Sequence, residues 1–219
     1  MIGSEILYGA TESVAEGKAF DRGPISLTVE EDMLRAIRWR GVELVRAVSY
    51  PIRDRNWGTM LLRTTAEALD LPAGTYHRRF ETADGAISGE IRLEADPAGR
   101  LEIHFTCRAE RDVMVNRAGF TVLHPVEGLA GQPLRVDHPD GRSETAVFPE
   151  RIAPSQPIRD IRALAYRIGP AAVRATMSGE VFEMEDQRNW SDASYKTYPD
   201  YALSSAAFRR GIACLKSAC

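Results

Sequence analysis

The sequence predicts an all-β fold, two antiparallel sheets stacked as a sandwich. Apolar and polar residues alternate with period two in several short runs, turn residues separate those runs, and no long segment holds a strong helical period. The clearest run spans residues 88 to 107: Ile91 and Leu93 alternate, a Pro-Ala-Gly turn follows, and LEIHFTC resumes the alternation. That is a hairpin with one buried face, and it places Ile91, Leu93, Leu101, Ile103, Phe105 and Cys107 in the core with His104 on the opposite side. ISLTV (25 to 29) and AVRATM (172 to 177) carry the same period, LRV (134 to 136) less cleanly before the turn DHPDGRSE that leads to TAVF, and Val122 joins the expected core. EDMLRAIRW can be read as a helical turn or as a strand, and residues 203 to 215 have helical composition without caps. PERIAPSQPIRD (149 to 160) is the most loop-like interval and is expected to connect strands within one sandwich.

Composition restricts the function. The chain of 219 residues is 44% hydrophobic and 27% charged, enough to bury one full core. Its net charge of -3 is spread along the chain, so nucleic acid is not an expected partner. No apolar run reaches the length of a membrane span, and the N-terminus lacks the basic and apolar regions of a secretory signal, so a cytoplasmic protein is expected. Cys107, Cys214 and Cys219 form neither a disulfide framework nor a zinc spacing. The histidines are dispersed: His77 and His138 sit in polar, turn-like contexts where solvation is expected. No metal site, cofactor, Gly-rich phosphate loop or nucleophile elbow is expected.

Three segments could carry chemistry. FEMEDQRNWSDASYKTY (182 to 198) gathers Glu183, Glu185, Asp186, Arg188, Asn189, Trp190, Asp192 and Lys196. PIRDRNWGT (51 to 59) repeats the theme with Arg53, Asp54, Arg55, Asn56 and Trp57. Carboxylates and amides bond hydroxyl groups and an indole covers an apolar sugar face, so the two sets suit a polyhydroxylated ligand. The alternative is structural: Glu185 or Asp186 pairs with Arg188 to close a corner, and RDRNW is a charged strand end capped by a packed Trp. If the segments meet in space, Arg53 or Arg55 is expected to pair with Glu185 or Asp186. In NRAGFTVLHP (116 to 125), Asn116, Arg117 and His124 flank an apolar strand, and His124 could serve as a general acid or base or as a hydrogen-bonded structural residue.

RDRNWGT, NRAGFTVLHP, QPIRDIRAL and FEMEDQRNW with DAS and KTY together resemble the N-terminal region of bacterial D-apionate lactonases, over roughly residues 20 to 198. The resemblance implies a supersandwich similar to galactose mutarotase, preceding a catalytic portion that looks like a TIM barrel, in proteins that hydrolyse a sugar-acid lactone. After Tyr198 the sequence departs from that pattern, so the expected organisation is a sandwich over 1–198 and an atypical, poorly ordered tail over 199–219, left by truncation. The resemblance implies an accessory sandwich, inactive alone, that contacts a sugar or sugar acid and a downstream catalytic domain. Two other functions remain open. One is an aldose mutarotase or epimerase-like enzyme with Glu185 and His124 as its acid and base; the other is a carbohydrate-binding module with Trp57 and Trp190 as stacking platforms.

Overall fold

The computed structural model describes residues 16–190 and 193–199, and the backbone of 212–218. Strands follow one another as short alternating runs between turns. The first six are β1 (Lys18–Arg22), β2 (Ile25–Val29), β3 (Met33–Trp39), β4 (Val42–Ser49), β5 (Ile52–Asp54) and β6 (Leu62–Asp70). The expected hairpin appears as β8 (Ile87–Ala95) and β9 (Leu101–Ala109), preceded by β7 (Thr75–Thr82). NRAGFTVLHP divides at Gly119 into β10 (Val115–Ala118) and β11 (Thr121–Pro125). Then come β12 (Pro133–Asp137), β13 (Ser143–Val147), β14 (Ile158–Ile161), β15 (Ala163–Ile168), β16 (Ala171–Ser178), β17 (Phe182–Asp186), β18 (Ser194–Pro199) and β19 (Ile212–Ala218). Among the described residues there is no α-helix, and the ambiguous EDMLRAIRW supplies strand β3.

Two large antiparallel sheets result, one in the order β1-β2-β3-β4-β11-β18-β17-β14 and the other β13-β12-β15-β16-β19-β9-β8-β7-β6. β5 and β10 form a separate two-stranded ribbon. The C-terminal tail was expected to be poorly ordered; its residues 200–211 and 219 lie outside the described residues, while 212–218 form β19 between β16 and β9.

The core lies between the large sheets, and the alternation read from the sequence decides what enters it. Ile91 pairs across the ladder with Phe105 and Leu93 with Ile103, and all four are buried together with Leu101 and Val122. The Phe105 ring lies 5.6 Å from Tyr50, 6.0 Å from Phe80 and 5.8 Å from Phe120, so it ties the nine-stranded sheet to the loops and strands opposite. Gly89 makes this packing possible, since a Cβ there would stand 2.5 Å from the Phe80 ring and 2.7 Å from the Thr106 carbonyl oxygen.

Polar groups inside this core are paired across it. His124 is fully buried; its Nδ1 shares a hydrogen bond with the Tyr166 hydroxyl at 3.1 Å and its Nε2 one with Thr197 Oγ1 at 3.0 Å, linking the two sheets. At the β6 edge, Arg78 is buried and donates to Thr64 Oγ1 at 2.8 Å and Tyr50 Oη at 3.0 Å. Glu67, opposite Arg78 on β6, accepts from Tyr76 Oη at 3.0 Å and pairs with Lys18. The β6 ladder bulges between Thr64 and Ala66. His138, expected to be solvated, is buried because the turn folds its Nδ1 onto the Asp160 carbonyl oxygen at 2.9 Å.

Two stability measurements check this core. Phe105→Ala is expected to lower unfolding free energy by about 3 to 5 kcal/mol in urea titrations, and a loss under about 1 kcal/mol would place the ring near the surface. Burial holds the His124 imidazole down at about 4, from an ordinary value of 6.5. A depressed folded-state value means that the unfolded chain binds the proton more readily, so stability is full above the unfolded value and falls as pH drops through this interval. At about 1.4 kcal/mol per unit, the loss is on the order of 3 kcal/mol. His124→Gln should flatten that part of the pH profile, and an unchanged profile would assign the dependence to other groups.

Candidate functional site

The outward face of the eight-stranded sheet is built by the register of β17 on β18. Glu185 stands opposite Lys196 and Glu183 opposite Tyr198, while on the other side of β18 Leu123 stands opposite Lys196. Neighbouring residues on a strand point to opposite faces, so Met184, Thr197, Tyr195 and His124 turn to the core and these polar side chains turn away from it. The β5–β10 ribbon reaches the same place. Arg53 and Arg117 are opposite each other in it, and the Arg117 guanidinium sits 4.3 Å from the centre of the Tyr198 ring.

Lys196 is at the centre of this strip. Its ammonium group lies 2.6 Å from Glu185 Oε2 and 5.1 Å from the centre of the Tyr198 ring. Burial pushes the ammonium below the ordinary lysine value, Glu185 opposes that shift, and the positive charges of Arg117 and Arg53 add to it. Glu185 also accepts from Trp190 Nε1 at 2.6 Å, and the indole is 66% exposed. Arg53, Glu185, Trp190 and Lys196 are therefore brought together. Arg117 and Tyr198 belong with them; Arg117 was expected only beside His124 in NRAGFTVLHP and Tyr198 not at all, although the period-two alternation from Lys196 places Tyr198 on its face.

The remaining expected site residues take other roles. Asp54 closes the turn that follows β5: its Oδ1 accepts from the backbone N–H of Asn56 at 2.8 Å and of Gly58 at 2.9 Å. Arg55 and Asn56 are exposed there, the Arg55 carbonyl accepts from Asn116 Nδ2 at 3.0 Å, and Trp57 is 52% exposed. Asp186 and Arg188 form the corner that the structural alternative described. Arg188 Nε and Nη2 donate to the Asp186 carboxylate at 2.9 and 2.8 Å, and the Ala153 N–H donates to it at 2.9 Å. Burial alone would raise the Asp186 carboxyl, but these donors hold it below the usual carboxylate range. Arg188 Nη2 and the Tyr195 hydroxyl also reach the Pro149 carbonyl at 2.7 and 2.6 Å, which pins the 149–153 loop to the sheet. Asn189 is exposed on the 3-10 turn Gln187–Asn189, and Asp192 lies outside the described residues.

Two expectations are corrected. Glu185 and Asp186 do not pair with Arg53 or Arg55, because Lys196 directly across the ladder and Arg188 two residues on satisfy them first. His124 and Glu185 do not converge as acid and base, because they occupy opposite faces of the sheet and His124 is sealed against Tyr166 and Thr197.

Among the described residues no group of three or more His, Cys, Asp and Glu side chains is placed to hold a metal ion. Burial pushes the Cys107 thiol up to about 12, far from a reactive thiolate. The strip thus offers cations, a paired carboxylate and an exposed indole, the groups that bind a polar ligand.

Known proteins share this fold and sequence. Among solved structures, a β-arabinopyranosidase superposes with a TM-score of 0.56 at 11% identity, covering 90% of this chain and 39% of that one. The GH36 α-galactosidase AgaB from Geobacillus stearothermophilus gives 0.53 at 10%, covering 93% and 40%. HI1317 gives 0.52 at 6%, covering 92% of each chain. At such identities the likeness is one of fold. A curated D-apionate lactonase from Brucella anthropi is 40% identical over 201 residues, or 88% of this chain, and the chain spans 33% of that relative's length. The family model for the N-terminal domain of D-apionate lactonase matches residues 5–204, and with that match covering most of the sandwich, the chain belongs to the D-apionate lactonase N-terminal domain family.

Proposed function

We propose that this chain is the accessory sandwich of a sugar-acid lactonase, which contacts a sugar or sugar acid and a catalytic region and does not hydrolyse lactone by itself. The observation that carries this reading is the outward strip, where Glu185 is already committed to Lys196 and Trp190 and the buried His124 faces the other way. Acyl transfer to water needs an activated nucleophile or a positioned base, and neither is assembled on this face. The 33% share of the Brucella anthropi relative supports a division of labour in which other parts of such a protein do the chemistry. A bacterial cytoplasmic setting belongs to the same proposal.

A carbohydrate-binding role is favoured by one further observation. Trp57 and Trp190 are among the most exposed large apolar side chains described, at 52% and 66%, as stacking platforms for sugar rings must be. The mutarotase reading lacks such support, since its acid and base lie on opposite faces of one sheet.

The deciding measurement is hydrolysis of an aldonolactone panel by the purified chain, with mutarotation of an aldose followed alongside. Turnover no faster than buffer is the expected result in both assays, with folding confirmed by circular dichroism. Lactone hydrolysis abolished by Glu185→Gln would place the catalyst on this sandwich and overturn the accessory reading.

A further inference from the structure

We propose that the strip at Arg53 and Lys196 takes the open-chain carboxylate of a sugar acid, the product of lactone hydrolysis, in preference to the uncharged lactone ring. This rests on the reading of the strip as a sugar-acid site. The argument begins with Arg53. Its guanidinium is half-buried, donates to the neutral hydroxyl of Thr59, and among the described residues has no carboxylate within ion-pairing distance. It also stands directly opposite Arg117 in the ribbon, an arrangement of like charges that is unfavourable by itself. Both guanidinium groups act on the Lys196 ammonium, whose carboxylate partner among the described residues, Glu185, is shared with the Trp190 indole. Arg53, Arg117 and Lys196 outnumber the Glu183 and Glu185 carboxylates of this face, so the described part of the strip carries net positive charge.

A lactone and its hydrolysis product respond differently to that charge. Hydrolysis breaks the ring acyl C–O bond; hydroxide from water joins the acyl carbon, the former ring oxygen takes the remaining proton of that water as a free hydroxyl, and the new acid releases its proton at neutral pH. The ring thus becomes a polyol that carries one negative charge. Arg53 can bond that carboxylate through two parallel N–H donors, an interaction the neutral ring cannot match. The rest of the strip suits a polyol chain. The exposed Trp190 indole offers an apolar surface to the carbon backbone. A sandwich of this kind would draw product to itself, or would report its accumulation to a catalytic region.

Calorimetric titration of the full chain in low salt, using D-erythronate, freshly dissolved D-erythronolactone, erythritol and acetate, tests the proposal. Erythronate should bind at least about tenfold more tightly than the other three, and its affinity should fall as sodium chloride is added. Arg53→Gln should weaken erythronate binding about tenfold or more with the thermal midpoint unchanged, and Arg53→Lys should restore part of the loss. Equal affinity for erythronate, lactone and erythritol would overturn the charge preference and leave the sugar-acid site standing. Acetate binding as tightly as erythronate, or wild-type affinity in Arg53→Gln, would also overturn it. Absence of binding by all four would overturn both this inference and the ligand-contacting part of the proposed function.

Discussion

The register between β17 and β18 is the constraint on which the site depends. With Glu185 opposite Lys196, every second residue of both strands is assigned to the core or to the outward face. A slip of one position would exchange the sets: Met184, Thr197 and Tyr195 would face solvent, and two glutamates and a lysine would enter the core. Burial of Met184 and Tyr195 thus holds Glu185 and Lys196 where they are, and the stability of the sandwich and the composition of the strip are set by the same pairing. The Asp186–Arg188 corner reinforces that pairing from its end, because it ties β17 to the loop that begins at Pro149.

Much of the fold was legible in the sequence, and the legible parts share a physical reason. β8 and β9 each have one buried face along their whole length, so the alternation from Leu101 to Cys107 is unbroken. β3 was ambiguous because its ladders are irregular: Ala36 has a positive φ of 51° and the register shifts between Ile37 and Arg38, which breaks the period on which a strand assignment rests. β6 escaped notice for a related reason. Most of its residues are exposed, and a bulge interrupts the pattern of those that point inward.

The site was legible only in part. The Asp186–Arg188 pair lies within three residues, and local reasoning could propose it. That Arg53 lies near enough to act on the Lys196 charge depends on how the β5–β10 ribbon brings Arg117 to Tyr198 of β18, a tertiary fact that two RNW tripeptides hint at without fixing. Those tripeptides diverge in the folded chain: one tryptophan ends a tight turn at a φ of 66°, and the other hydrogen-bonds Glu185. His124 shows the limit of residue type as a guide, since a histidine at a strand end reads as chemistry until its partners are known to be a tyrosine and a threonine in the core.

The β6 edge has a consequence for how the molecule meets its neighbours. Among the described residues β6, nine residues long, has no strand beyond it, and such an edge offers unsatisfied amides and carbonyls to any extended chain that approaches. Here a bulge interrupts that border between Thr64 and Ala66, and Glu67 is held by Tyr76 and Lys18. A chain that tried to continue the sheet would find no flat ladder and would have to disturb a carboxylate fastened at two points. A bulge and a fastened charge are the features by which edge strands resist continuation into a fibre, and β6 carries both.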